Sequence, residues 1–592
     1  MLISRSTTFV FVLAAILLFG SAPAQAQTDC NGNGIDDACD LSCGPAGGPC
    51  DVPGCGTSVD CNSNGVPDEC DLRSGDGSGF AKACAWTTFD TLANNPPGAM
   101  GWYEGAAFDG RYLYFPTKAQ APGVEILRLD TDADFHDPAA WTPFDAGAPP
   151  LGARGGYTDA VFDGRYVYCV PANRTAFHGE VLRYDPSLPF TMPTSWEKFD
   201  YGDNCGGACN DPDGFTGGVF DGRFVYFVPT FNGTQDSGEV MRFDTTGVFT
   251  NPASWQTFDA PANGVPGDPR GYAGGTFDGR YIYFAPVVRD SGSTPHELVL
   301  RYDTISPFGQ STSWATFDAS GICAPDCTAG VAYNGAVFDG RYVYFVPHST
   351  APVPNSAAPV LRYDTAAAFN DAAGWAAYDV LINSPFAFGL YERATFDGRY
   401  IYFSPSSGGP IAHGEALRYD TQGSFFAATS WSVYDYGADP LGCAADTNCH
   451  DPDGFHGAIF TGRYVYFVAS YNGTAGSGEF MRYDTLAGSA NDCNCDAIPD
   501  VCDIANCPPG DPSCQDCNGN GIPDGCDTDT DGDGVPDDCD QCPFDPTNTK
   551  VDGQCIPTLS DWGMMAMAAL LLSAGGVVIA RRRAGRGRTS YE

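Results

Sequence analysis

Three short markers recur between residues 85 and 485, seven times each and always in the same order. W-x-x-F/Y-D stands at Trp86, Trp141, Trp196, Trp255, Trp314, Trp375 and Trp431. F-D-G-R-Y/F begins at Phe108, Phe162, Phe220, Phe277, Phe338 and Phe396, with F-T-G-R-Y from Phe460. A third marker, L/M-R-L/Y/F-D, places its arginine at Arg128, Arg183, Arg242, Arg301, Arg362, Arg418 and Arg482. Successive units lie 54 to 64 residues apart. A chain repeating at such a period builds one supersecondary unit many times and buries the units against one another.

Each unit reads as four strands. Gly218-Val219-Phe220 runs into Asp221-Gly222, a strong hairpin signal. Arg223 to Val228 forms the second strand, which Pro229 ends; Gly238 to Phe243 forms the third and Trp255 to Phe258 the fourth. Both alternating sets of the second strand are apolar, so both its faces should be buried, as in sheets stacked around an axis. A solenoid would stack repeats too, but usually with a shorter period and with caps. The ends decide between them: Trp86 to Phe89 precedes the first full unit, and the last unit stops at Asp484 without its own fourth strand. The first strand can complete the last sheet and remove both free edges. The expectation is an all-β fold, a seven-bladed β-propeller closed by its N-terminal strand.

With 73 acids against 30 bases the net charge is −43. Nothing here would neutralise phosphates, so a nucleic-acid partner is excluded, while cations are attracted. Of 25 cysteines, eight lie between Cys30 and Cys84 and ten between Cys493 and Cys555. With only seven histidines in the chain, disulfides in an oxidising compartment fit better than zinc. The odd count leaves one thiol over. Cys169 is the candidate, because it replaces the Phe of most sibling strands.

Residues 1–26 read as a secretory signal: Arg5, an apolar run from Phe9 to Phe19, and a small-x-small site at Ala24-Gln25-Ala26. At the other end Trp562 to Ala580 is apolar and uncharged, reaching roughly 28 Å as a helix, enough for a bilayer core. Arg581, Arg582, Arg583, Arg586 and Arg588 follow and should stay cytoplasmic. Just ahead stand Ile556, Pro557, Thr558, Leu559 and Trp562. Together these three parts, over residues 556–592, resemble the IPTL-CTERM protein-sorting domain of Gram-negative bacteria. The resemblance implies a membrane sorting protease that cuts near the signature and delivers the chain to the surface; spacing alone implies a membrane anchor.

Two cysteine-rich flanks, 27–84 and 492–555, carry five segments of one spacing. Asp or Asn occupies positions one, three and five, and Asp positions nine and twelve. The sets are Asp29, Asn31, Asn33, Asp37 and Asp40; Asp60, Asn62, Asn64, Asp68 and Asp71; Asp492, Asn494, Asp496, Asp500 and Asp503; Asp516, Asn518, Asn520, Asp524 and Asp527; and Asp529, Asp531, Asp533, Asp537 and Asp540. Alternate oxygens in a tight loop can converge on Ca2+, which takes six to eight hard ligands. These segments resemble thrombospondin type 3 calcium repeats. Calcium and disulfides would then replace the core that the flanks lack.

Within the propeller, an aromatic stands five residues before each hairpin Phe: Tyr103, Tyr157, Phe215, Tyr272, Tyr333, Tyr391 and Phe455. Sevenfold repetition places them in a ring near the channel mouth, either as a stacking platform for a sugar or other planar ligand or as blade-to-blade packing. The long, variable loops, from fourth strand to first and from second to third, share one face, where function is expected. Blades three and seven share Asp-Pro-Asp-Gly-Phe and Asn-Gly-Thr at Asn232 and Asn472, with short cysteine pairs at Cys205/Cys209 and Cys443/Cys449. No G-x-S-x-G, H-E-x-x-H or phosphate loop occurs, and no catalytic set is assigned. Glu104, Asp159, Glu392, His450 and His456 are the acid and imidazole groups expected on the variable face. The expectation is a non-enzymatic surface protein that binds a carbohydrate or a surface protein. Two alternatives stand: an extracellular polysaccharide hydrolase or lyase with paired carboxylates, and a structural envelope component.

Overall fold

The computed structural model describes most of residues 35–555; residues 1–34 and 556–592, and internal stretches including 62–66, 71–77, 323–331, 349–358, 384–389, 407–412 and 439–451, are not described. The signal segment, the sorting signature, the expected span and His450 therefore lie outside the described residues. Among those residues no helix is long and apolar enough to cross a membrane.

The chain divides into two units, Met1–Cys70 and Asp71–Glu592. In the first, a five-residue helix, Asp37–Leu41, is capped by Asp36, whose side chain accepts from the Ala38 amide. Disulfides Cys39–Cys50 and Cys43–Cys55 cross-link it.

The second unit holds seven four-stranded antiparallel sheets, each with its strands in chain order except at the seam. Blade three is typical: Phe215–Phe220, Phe224–Pro229, Glu239–Asp244 and Trp255–Asp259. Its tight turn is built by Asp221. One carboxylate oxygen accepts from the amides of Arg223 and Phe224, and the other from the Tyr226 hydroxyl. Gly222 takes a φ of 95°, which a side chain would resist. Arg223 then pairs with Asp244 at 2.6 Å. The F-D-G aspartates are thus structural.

The seam closes as the repeat ends predicted. Trp86–Asp90 pairs antiparallel with Glu479–Asp484, Trp86 opposite Tyr483 and Asp90 opposite Glu479. Phe455–Phe460, Tyr464–Ala469 and Glu479–Asp484 supply the rest of the sheet. One boundary differs from expectation. The propeller does not begin at residue 85, because Phe80, in the turn Ser78–Ala81, lies in the core of the closing blade. Every marker tryptophan donates its indole N–H to the carbonyl of a phenylalanine six residues earlier, at 2.7–3.0 Å; Phe80 serves Trp86 as Phe135 serves Trp141.

Neighbouring blades are joined by the markers. Each Trp stacks on the aromatic of the preceding blade's W-x-x-F/Y, with ring centroids 4.4–5.5 Å apart, and the circuit includes Tyr434–Trp86 and Phe89–Trp141 at the seam. Each third-strand arginine lies between two rings: Arg242 sits 4.0 Å from Phe224 and 4.1 Å from Phe308, and Arg418 4.2 Å from Tyr400 and 4.4 Å from Phe80. A desolvated guanidinium over a ring is worth ~2 kcal/mol, and here it meets two. Cys169 is a free, buried thiol, as expected. Beyond the last blade, disulfides Cys493–Cys526, Cys507–Cys514 and Cys517–Cys539 staple a segment with one short helix, Asp500–Asn506.

Candidate site at the mouth of the central channel

The first strand of each blade lines the channel. Two residues after the aromatic, five blades carry glycine: Gly105, Gly217, Gly274, Gly335 and Gly457. The throat explains this: a Cβ on Gly217 would fall 2.7 Å from the Cα of Gly274, and one on Gly274 2.9 Å from the Cα of Gly335. Blades two and six break the rule with Asp159 and Arg393. These two form an ion pair, both largely buried. Asp159 also accepts from the amides of Ala160 and Gly218, and Arg393 donates to the Thr158 carbonyl at 3.3 Å. A chamber of about 200 Å³, walled mainly by glycine and alanine, includes this pair in its lining.

One residue nearer the aromatic, the first strands carry Glu104, Thr158, Thr216, Ala273, Asn334, Glu392 and His456. Glu392 is buried and surrounded by donors: the His348 ring at 3.3 Å, the His456 ring at 3.6 Å, the Asn334 amide and the Ser406 hydroxyl at 3.2 Å. Burial pushes its carboxyl up, but the two imidazoles outweigh that and hold it at about 2. Burial likewise lowers His348, yet Glu392 overrides it and raises the imidazole. Asn334 gives its amide N–H to Glu392, so its carbonyl oxygen is left without a donor. His456 continues the arc to the Glu104 carbonyl at 3.0 Å, and the Glu104 carboxylate holds Lys118 at 2.6 Å.

The structure thus gathers Glu104, Glu392 and His456 into one polar arc and sets Asp159 in the throat beside it. It adds His348, Asn334, Ser406, Lys118 and Arg393, which reading one repeat at a time had missed. Aligning the seven first strands exposes Arg393, since only blades two and six break the glycine rule; His348, Ser406 and Lys118 lie on or just after second strands, which that alignment does not reach. Each of these carboxylates has a cationic or imidazole partner. Among the described residues, burial pushes the Glu125 carboxyl up to about 7; it lies inside its blade, where it accepts from the Tyr103 hydroxyl.

Of the two readings of the aromatic ring, the geometry is that of blade-to-blade packing. Tyr103, Tyr157, Phe215, Tyr272, Tyr333, Tyr391 and Phe455 are all at most 1% exposed. They pack between sheets; Tyr103, for example, lies 5.3 Å from Phe480 of the closing blade. The Asn-Gly-Thr loops are Asx turns: Asn232 and Asn472 each accept from the amide and hydroxyl of the threonine two residues on. Cys205 and Cys209 form the local disulfide.

The flanking loops share one closing contact. The position-nine aspartate accepts the amide of position two in four of them: Asp68 from Cys61, Asp500 from Cys493, Asp524 from Cys517 and Asp537 from Thr530, at 2.8–3.0 Å. In the loop from Asp516, Asn518 and Asn520 reach Asp527 at 2.9–3.1 Å, so three of the expected calcium ligands already converge. Asp503 titrates above its ordinary value through burial first and the nearby Asp496 charge second. Asp29, Asn31, Asn33, Asn62, Asn64, Asp71, Asp531 and Asp533 lie outside the described residues.

Residues 554–583 match the IPTL-CTERM motif. The chain carries an IPTL-CTERM sorting motif. That motif points to an exported, cell-surface protein. No curated protein sequence matches the chain. Among solved structures it is similar to the Pan2 WD40 domain of Neurospora crassa, at 10% identity over 69% of this chain and 97% of that one, with a TM-score of 0.41. It is also similar to BamB from Moraxella catarrhalis, at 10% identity over 64% and 84%, with a TM-score of 0.34. The propeller assignment rests on the strand pairing, not on these likenesses.

Proposed function

We propose that this protein is a non-enzymatic surface receptor: the propeller holds an extracellular ligand on its loop-rich face, and calcium-filled, disulfide-stapled loops stiffen the chain on either side. The observation that carries the binding reading is the state of the carboxylates at the mouth. A glycosidase needs one carboxyl protonated near neutral pH and a second ionised beside it. Glu392 is held at about 2, Glu104 is ion-paired to Lys118 and Asp159 to Arg393, so each is already committed to a partner within the protein. Charges fixed in ion pairs suit recognition better than proton transfer. Export follows from the sorting tail; the membrane span and the sorting protease are the partners that tail implies.

In the flanks, the Asp, Asn and backbone oxygens of each loop would hold Ca2+, which supplies cross-linking between groups that otherwise repel. The test is to incubate purified full-length protein in calcium with extracellular polysaccharides. Retention of polysaccharide without new reducing ends is the expected result. New reducing or unsaturated ends would overturn the receptor reading in favour of a hydrolase or lyase.

A further inference from the structure

The propeller contains eight tryptophans, and seven are the blade markers. The eighth, Trp102, obeys none of their rules. Each marker is at most 6% exposed and bonds a carbonyl, whereas Trp102 is half-buried and its indole N–H meets no acceptor among the described residues. Its backbone is also strained, with φ at 64°. The same position, just before the buried aromatic, is Gly156, Gly214, Gly271 and Gly454 in four sister blades, each with φ between 68° and 82°. The fold therefore asks for glycine here, and a bulky residue in the left-handed region is an outlier of the kind that accompanies function.

The surroundings of Trp102 are amphipathic. Its ring lies 5.6 Å from that of Tyr471, in the Asn-Gly-Thr hairpin of blade seven. The sister hairpin in blade three places Phe231 against Phe177 at 5.2 Å, a contact with no polar atom. The Trp102 carbonyl accepts the Lys118 amide at 3.0 Å. The Lys118 ammonium is about one-third exposed and is fixed by Glu104, whose second oxygen is buried without a donor.

We infer that Trp102 and Tyr471, with Lys118 and Glu104 beside them, form a stacking subsite for a neutral sugar ring. This rests on the receptor reading and names its ligand class. Two tilted aromatic faces suit the apolar C–H face of a pyranose; the indole N–H, the tyrosine hydroxyl and the ammonium supply donors and an acceptor for ring hydroxyls. A chain with net charge −43 repels polyanionic glycans, which leaves neutral ones.

The experiment uses full-length protein in calcium, with neutral gluco-, galacto- and manno-oligosaccharides and acidic uronan oligosaccharides as probes. The variants are Trp102→Gly and Tyr471→Ala. Trp102→Gly restores the residue that four sister blades use, so its melting temperature should equal or exceed that of the native chain. Its affinity for the bound neutral oligosaccharide should fall at least tenfold, and Tyr471→Ala should weaken it as well. Neutral binding unchanged in Trp102→Gly would overturn the subsite and leave the receptor reading intact. So would binding confined to uronans. Cleavage of a probe, or no binding to any glycan or surface protein, would overturn both. A large loss of melting temperature in Trp102→Gly would overturn the subsite by making Trp102 a packing residue.

Discussion

Trp86 is the sharpest test of how the ring holds itself shut. Its ring packs against Phe80, Tyr434, Phe467 and Tyr483 at centroid distances of 4.7–5.7 Å, and it is 3% exposed. Truncating a buried tryptophan to alanine costs ~3–5 kcal/mol. Here the Phe80 carbonyl also loses its only indole donor at 3.0 Å, which adds ~1 kcal/mol. Trp86→Ala should therefore lose ~5 kcal/mol, in urea unfolding followed by far-ultraviolet circular dichroism. Trp255→Ala, in the continuous blade three, makes equivalent contacts with Phe199, Phe227, Phe243 and Phe249 and should lose the same amount. The comparison carries the logic, because a strand some 390 residues from its partner in the sequence would then be as integral as one joined by a turn. A cost below ~1 kcal/mol for Trp86→Ala, beside the full loss for Trp255→Ala, is the value typical of a surface substitution and would refute ring closure by this strand.

Other perturbations follow from the channel and the loops. Arg393→Gly should cost ~3–5 kcal/mol by stranding the buried Asp159 charge, while the double variant Asp159→Gly, Arg393→Gly, which restores the sister glycines, should recover most of it in the same unfolding assay. The Glu392–His348 pair predicts a bell-shaped pH profile for the melting-temperature difference between the native chain and His348→Gln. Glu392 is depressed from 4.5 to about 2, so its contribution fades as pH falls below 4.5; His348 is raised above 6.5, so its contribution fades as pH rises beyond 6.5; a flat profile would contradict the pairing. Calcium removal by chelator should open the segment 492–543 to proteases while leaving the propeller resistant, and Asp527→Asn should weaken calcium binding measured by calorimetry. Cys169, pushed up by burial, should resist thiol reagents in the native protein and react after unfolding.

Much of this architecture could be read from residues alone, because repetition converts a weak local signal into a strong one. The Asp-Gly turns, the four strands per unit and the seam at Trp86 all follow from where the markers start and stop. Counting the unit from Trp86 leaves Phe80 outside the propeller, although Phe135, Phe190, Phe249, Phe308, Phe369 and Phe425 repeat six residues before their tryptophans. The aromatic ring was harder. In blades buried on both sides, a period of two says that a residue alternates but not which alternate faces the channel. The channel layer turned out to be the next two residues, Glu104-Gly105 in blade one and Glu392-Arg393 in blade six. Their pairing across the ring, Asp159 with Arg393, joins positions that no local pattern connects. Trp102 escaped notice for the opposite reason: it matched no repeat, and a residue outside the pattern carries information only once the backbone it occupies is known.

The seam also fixes the direction in which the ring faces. Trp86 lies opposite Tyr483, and Asp484 is held by Arg463 of the tight turn, so the chain enters and leaves the propeller at the same blade and on the face of the tight turns. The last strand thus leaves the propeller on the turn face, where arginines pair with aspartates, as in Arg111–Asp130 and Arg280–Asp303. The opposite face carries the polar features peculiar to single blades: Glu392 with its imidazoles, Lys118 on Glu104, and Trp102 against Tyr471. Had the ring closed with a C-terminal strand in place of the N-terminal one, the last strand would run back toward the loops and the tail would emerge among them. Closure by Trp86–Asp90 brings the chain into and out of the ring of sheets on the turn face and leaves the variable face to the loops of the blades, which suits the binding role proposed above.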